Sequence, residues 1–490
     1  MGRQRSRSAP TAPISRSRAD LVRLGHLLTA IRGRDLSLEV DPRTLKKLDT
    51  ELTEFIDELF SGLGRKERVE NLGHYVTGLL LDGERKSIEP IAARLVDKPD
   101  EIEGMRQRLQ QAVTVATWSE QELFRRLARK VDGELPGIEA LVIDDTGFPK
   151  KGSHSVGVQR QYSGTLGRVD NCQVAVSLHL AGEAGSACIA MNLFLPEPWA
   201  NDRKRRAKAG VPDDVEFKTK LQISLRQLDT ALDLGVRRHV VLADAAYGDS
   251  IEFRNELSAR GLQYVLAVKG ESVVWPPGSE PRVPRKTTRV GRPRSRYYDR
   301  RHPPIAIGDL APSLTFRTVT WREGSRGTQS ARFAVARIRT AHHHCKGAAP
   351  SEEQWLIAQW FDGESKPTKF WLSNLPPTMP VRGLIRLAKL RWRVERDYQE
   401  MKQEIGLDHF EGRTWRGFHH HAALCAAAHA FLALRRALFP PEEESLDAAD
   451  GAALPPSRAR TPNWRLPTVP KADRAARVTD GTVTNVIESY

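Results

Sequence analysis

Cysteine is scarce in this chain. Cys172, Cys188, Cys345 and Cys425 lie far apart in 490 residues, with no CxxC pair. That rules against a disulfide framework or a structural zinc site, and a reducing cytoplasm fits. Long apolar runs are missing as well. None reaches the roughly 18–20 residues that span a bilayer, and the longest candidate, Ala422 to Leu434, is interrupted by His429. No secretory apolar stretch opens the chain, where Arg3, Arg5, Arg16 and Arg18 stand among Ser and Pro. Met1-Gly2 with Ser6 fits only the loose myristoylation pattern, which is frequent by chance. Acidic side chains are outnumbered, 61 Asp+Glu against 76 Lys+Arg, for a formal net charge of +15. So basic a balance favours a polyanionic partner, nucleic acid before a membrane surface.

The length predicts two to four units. Residues 1–20 are Arg/Ser/Pro/Ala-rich and are expected to be a disordered basic N-terminus. Residues 21–132 read as an all-α domain. Leu48, Leu52, Phe55, Ile56, Leu59, Phe60 and Leu63 recur at three and four residues as one buried stripe. Lys86–Leu95 and Ile102–Ala116 read as two short helices around Lys98-Pro99-Asp100, either a helix-turn-helix DNA reader or a plain packing pair.

The texture changes at Pro136. Strands are predicted at Leu141-Val142-Ile143, Cys172–Leu180, Cys188–Leu195, His239–Ala243 and Tyr264–Val268, with helices at Asp214–Leu234 and Ile251–Arg260. A βββαβαβ series of this kind argues an α/β fold, a mixed central sheet with helices on its faces. Its first part would occupy 133–274. A Pro- and Arg-rich opening, Trp275 to Pro304, then short alternating runs at Leu314–Trp321, Ala331–Ile338 and Trp355–Phe361 predict a β-rich insertion over 275–368. Residues 369–438 would return to the core with a long helix, Val381–Glu404, and an apolar one, Phe418–Leu438. The tail, 439–490, is expected to be largely disordered.

Cutting a phosphodiester needs an activated water and a stabilised leaving oxygen, which two metal ions held by hard oxygen ligands can provide. Acids at strand ends suit that task. Asp144 and Asp244 each follow an apolar run, although a lone Asp after a strand is more often a turn or helix cap. On the helix Val381–Glu404, Arg391, Glu395, Tyr398 and Lys402 fall at i, i+4, i+7 and i+11, one face beside the stripe Leu387, Leu390, Val394, Met401 and Ile405. Such a face is either a surface ion-pair ladder or a metal ligand flanked by phosphate-gripping cations.

On these residues the chain resembles bacterial insertion-sequence transposases of the Asp-Asp-Glu class, cut-and-paste enzymes with a ribonuclease-H-like catalytic domain. Their helix signature is Tyr-x2-Arg-x3-Glu-x6-Lys. Arg391, Glu395 and Lys402 match it, while Ala388 stands at the Tyr position. Leu141 to Gly147 and Leu242 to Gly248 resemble the two aspartate motifs, and Asp145 through Gly152 with Gln161 to Gly164 resembles one subgroup of the family closely. The resemblance covers about Leu141 to Arg413. It implies that Asp144, Asp244 and Glu395 bind two Mg²⁺ ions, with Mn²⁺ as substitute, and that Arg391 and Lys402 orient the phosphate. Tyr398 shares their face and joins the DNA contacts. The resemblance also favours Asp144 over Asp145, since the family's ligand directly follows the apolar strand and precedes a small residue and Thr, and alternation lets only one of the two readily face the metals. The insertion is also expected by analogy, since 151 positions separate Asp244 from Glu395.

The implied partners are transposon-end DNA and target DNA, bridged by a homodimer, in a nucleoid-associated cytoplasmic protein. Rival readings are a DNA-binding regulator that no longer cuts and a nuclease without strand transfer. Lys150, Lys151, Arg160 and Arg168 would contact phosphate, as would the basic blocks Arg203–Lys208 and Arg282–Arg301. Trp275 is a candidate stacking platform for a flipped base, although a tryptophan is more often core. His419-His420-His421 and His342-His343-His344 are expected to be solvated or DNA-facing rather than metal ligands, because neighbours on a helix splay about 100° apart.

Overall fold

The computed structural model describes residues 42–164, 167–283, 297–322, 329–341 and 350–438. The basic N-terminus, residues 284–296 of the third basic block, His342–His344, Cys345 and the tail lie outside them. Contacts divide the chain into Met1–Glu442 and Glu443–Tyr490, and all that follows concerns the first unit.

The sheet begins at β1, Ile138–Pro149, whose run Ala140-Leu141-Val142-Ile143 is fully buried. A strand covered on both faces reads as a continuous apolar run rather than an alternation. β1 pairs antiparallel with β3, Arg168–Gly182, and parallel with β5, Val240–Ala243. Along its far edge β3 carries β2, Gln159–Ser163, and then β4, Ser186–Leu193. β5 pairs parallel with β6, Tyr264–Val268. This is the mixed sheet expected of a ribonuclease-H-like core.

The strands between the core and the glutamate helix join the same sheet. β7 (Val273–Trp275), β8 (Ile305–Ala306), β9 (Arg317–Arg322), β10 (Gln329–Thr340) and β11 (Gln354–Trp360) reach it through β12, Lys369–Ser373, which lies antiparallel to β6. The result is one sheet of 12 strands.

Two expectations are corrected. β1 does not end at Ile143. It continues to Pro149 because β3 is long enough to pair with it throughout, with Asp144 opposite Ser177. Only the parallel ladder to β5 stops early, at Val142, which leaves the β5 side of β1 open where Asp144 stands. The glutamate helix is also not continuous. Val381–Leu390 and Trp392–Gln403 are separate helices with a turn at Arg391, where the Val394 N–H bonds back only three residues to the Arg391 carbonyl at 3.1 Å.

Among the described residues five α-helices precede the sheet: α1 (Pro42–Phe60), α2 (Lys66–Leu80), α3 (Ile88–Leu95), α4 (Ile102–Gln110) and α5 (Glu120–Glu134). The α1 stripe is buried as its spacing predicts. Short turns α6 (Glu197–Ala200) and α7 (Arg203–Ala209) lead to α8, Lys220–Asp233; α9 (Ala245–Gly248) and α10 (Ile251–Ala259) follow β5, and α11 (Ile307–Leu310) follows β8. The broken helix gives α12 and α13, and α14 is Trp415–Leu438. α14 is buried from Gly417 to Leu434, packed on α2, α5 and β4. A helix apolar on every side belongs in a core. No helix among the described residues is long and apolar enough to cross a membrane.

Candidate active site

Three chain segments converge where the β1–β5 ladder ends. The Asp144 carboxylate is buried, with Oδ1 accepting the Asp145 N–H at 2.8 Å and Oδ2 accepting Arg391 Nη1 at 2.7 Å. Burial pushes its pKa up to about 7; Arg391 opposes the rise and Asp244 adds to it. Asp244 caps the turn α9, its Oδ1 accepting the Ala246 N–H at 2.9 Å. Burial raises its pKa too, against the pull of Arg391. Arg391 then reaches forward through Nη2 to Glu395 Oε1 at 2.7 Å, one turn along α13.

One guanidinium thus joins Asp144 to Glu395 and acts electrostatically on Asp244. Arg391 stands at the junction of α12 and α13 with its backbone still right-handed helical, φ −57° and ψ −22°. Asp145 is not turned wholly away from the site, for its charge also raises Asp244, but its carboxylate is held by Lys220 Nζ at 2.5 Å. No three Asp, Glu, His or Cys side chains among the described residues are gathered closely enough to enclose a metal ion. The Arg391 side chain fills the interval between two of the acids. The donor chemistry fits a hard divalent ion all the same. Every group is a carboxylate oxygen, and among the described residues the ion pairs of Asp144, Asp145 and Glu395 are made by Arg391 and Lys220.

Of the predicted phosphate contacts, Lys151 is exposed and Lys150 is half-buried with Nζ on the Phe410 carbonyl at 3.0 Å. Lys402 Nζ donates to the Gly147 carbonyl at 2.9 Å and lies 5.2 Å from the Phe148 ring, its pKa brought down to about 8 by burial. Two residues are corrected. Tyr398 faces the sheet, not DNA: it is buried, with its hydroxyl 2.6 Å from Ser177 Oγ. Trp275 is 1% exposed on β7 and offers no stacking face.

The histidine triplet is corrected as well. His419, His420 and His421 are all buried, because α14 has no solvent face. His419 Nδ1 lies 2.9 Å from the Trp415 carbonyl, His420 stacks on Trp118 at 3.9 Å, and His421 Nδ1 lies 2.9 Å from the Tyr75 hydroxyl.

Some residues escaped the sequence reading. Trp392 is 36% exposed, and the Arg393 guanidinium lies 4.5 Å from its ring. Nearby, Lys389 Nζ lies 5.4 Å from the ring of Trp321. The signal was the string Arg391-Trp392-Arg393, an aromatic between two cations. Behind α13, Asp397 and Glu400 are buried acids with no apolar-pattern signature at all.

Residues 58–328 match a family model described as DDE superfamily endonuclease. That span holds Asp144 and Asp244 but ends before Glu395, which therefore rests on geometry and spacing. A probable transposase for insertion sequence element IS701 from Microchaete diplosiphon is 28% identical over 199 residues, 40% of this chain and 48% of the relative. The chain thus spans about half the length of that curated relative.

Proposed function

The chain belongs to the DDE superfamily of endonucleases, and from that premise we propose that it is a DNA transposase that cuts transposon ends and joins them to target DNA. Membership implies dependence on a divalent metal ion. Asp144, Asp244 and Glu395 would hold two Mg²⁺ ions, with Mn²⁺ able to replace them. Bound there, such ions supply activation of the attacking oxygen and stabilisation of the departing one.

The rest falls to the chain's own side chains. β1 and its partner β3 fix Asp144, the α9 turn fixes Asp244, and α13 carries Glu395. Arg391 links two of the acids, and its forked donors would grip the phosphate beside the scissile bond. Lys402, beside Gly147, reinforces that grip, and Lys150 and Lys151 hold the backbone farther along. Trp392 with Arg393 replaces Trp275 as the stacking surface for an unpaired base. Water displaces the 3′ oxygen at the element's end, and the freed 3′-OH then displaces a 3′ oxygen in target DNA. Both ends must be cut together, so a homodimer is the expected working form.

The observation that carries this reading is one arginine, at the break of a helix, bonded at 2.7 Å to acids from β1 and from α13. The test is cleavage of labelled flanking-end DNA in Mg²⁺, followed by joining to a plasmid. Cleavage and joining by wild type, both lost in Glu395→Ala with DNA binding kept, is the expected result. Cleavage without joining would leave a nuclease. Binding without cleavage in Mg²⁺ and Mn²⁺ would leave a non-cutting regulator, and equal cleavage by both proteins would remove Glu395 from the site.

A further inference from the structure

At Arg391 the backbone bond from Val394 spans three residues instead of four, so α12 alone does not set the rotation and depth of α13, which depend also on what α13 touches. A helix that slips by one residue moves about 1.5 Å and turns about 100°, enough to take Glu395 out of reach of Asp144. Part of the packing is apolar, through Val394 and Met401, and apolar contacts are non-directional. The remainder is a buried polar chain between α13 and the sheet. Tyr398 Oη lies 2.6 Å from Ser177 Oγ, and Ser177 Oγ lies 2.9 Å from His179 Nε2. His179 Nδ1 lies 2.7 Å from Asp397 Oδ2, and Ser186 Oγ donates to Asp397 Oδ1 at 2.6 Å.

We propose that Tyr398, Ser177, His179, Asp397 and Ser186 are positioning residues that set the Glu395 helix against the strand of Asp144; this rests on the reading of those two acids as metal ligands. The chain of bonds starts and ends at the right places. Ser177 is the register partner of Asp144 in the β1–β3 ladder, and Asp397 and Tyr398 follow Glu395 by two and three residues. It is also continuous. Whichever way its protons run, each side chain in it meets both the one before and the one after, and a carboxylate at its end accepts from His179 and Ser186. Directional bonds linked in this way fix orientation in a manner that packing alone does not. All five residues are buried, so no water competes for the bonds.

The experiment is a Mn²⁺ titration of the full chain by calorimetry, run beside thermal unfolding and end-DNA cleavage. Tyr398→Phe removes one oxygen, and Ser177→Ala breaks the same link from the other side. Each is expected to weaken Mn²⁺ binding about five- to twentyfold, and the double variant to be no worse than either, as members of one chain should behave. Raising Mn²⁺ should restore much of the lost cleavage. Val394→Ala, a packing change on the same helix, should lower the unfolding temperature yet keep Mn²⁺ affinity within about twofold. If Asp397→Asn does not fold, Tyr398→Phe still decides. Wild-type affinity in Tyr398→Phe, or equal weakening in Val394→Ala, would overturn the network. Mn²⁺ binding of unchanged affinity and stoichiometry in Glu395→Gln, otherwise wild type, would instead overturn the reading of Glu395 as a ligand, and the network with it.

Discussion

The two sides of α13 hold acids in opposite circumstances. Toward the open edge of the sheet, Asp144 and Glu395 share a single arginine, and Glu395 keeps 63% of its side chain exposed. Toward the core, Asp397 is bonded by His179 and Ser186, and Glu400 by Arg396, His429 and Arg436. Burial alone would raise the Glu400 pKa, yet those three partners hold it well below the ordinary carboxylate range. The core-side acids each have side-chain partners of their own and bind the protein to itself. The edge-side acids have one arginine between them, and that difference separates scaffold from site around one short helix.

The largest break in this comparison should come from Glu395→Gln. Cleavage is expected to fall about a thousandfold or more, while denaturant unfolding shifts by no more than about 0.5 kcal/mol. A stability loss matching the activity loss would erase the distinction. Asp397→Ala should do the reverse in kind, costing about 3 kcal/mol of unfolding free energy because it strands buried partners; a neutral result would mean the back of the helix is not saturated in solution.

Acid tests the scaffold next. His419 and His421 have folded pKa values brought down to about 4 by burial, against about 6.5 when free. Between those values the unfolded chain binds more protons, so the stability present above about 6.5 is lost as pH falls. From pH 6.5 to 5 the loss is on the order of 1.5 kcal/mol per imidazole, read as a falling unfolding temperature; a flat profile would contradict the buried neutral rings. The smallest effect is Trp392→Ala. Binding of single-stranded DNA should weaken by roughly 1 kcal/mol with stability unchanged, and unaltered binding would remove Trp392 from the interface.

The sequence carried the core strands because Leu141–Ile143 and Val240–Ala243 are apolar runs that no surface element would tolerate. Asp144 and Asp244 were legible as the residues that end those runs. The Asp144 to Arg391 bond was not, since nothing local marks the turn that breaks an otherwise good helical stretch. The same holds for Tyr398, placed on a polar face by periodicity yet drawn to Ser177, a residue 221 positions away. Trp275 and the histidine triplet failed for another reason: polar or amphipathic side chains read as surface unless their buried partners are known. For the histidines those partners are Trp118 and Tyr75, beside His420 and His421, and the Leu193 N–H, which donates to His419 Nε2, all from distant segments.

α14 carries a consequence in time. Phe431 lies with its ring centroid 5.3 Å from that of Phe55, at the opposite end of the described chain. A ribosome adding about 5–20 residues per second needs roughly 20–75 s to make the second after the first. Through that interval the helices α1 and α2 exist without the segment that closes over Phe55 and Tyr75. The first of the described helices are therefore made early and finished late, and a nascent chain halted before Trp415 exposes an apolar face to whatever else is in the cell.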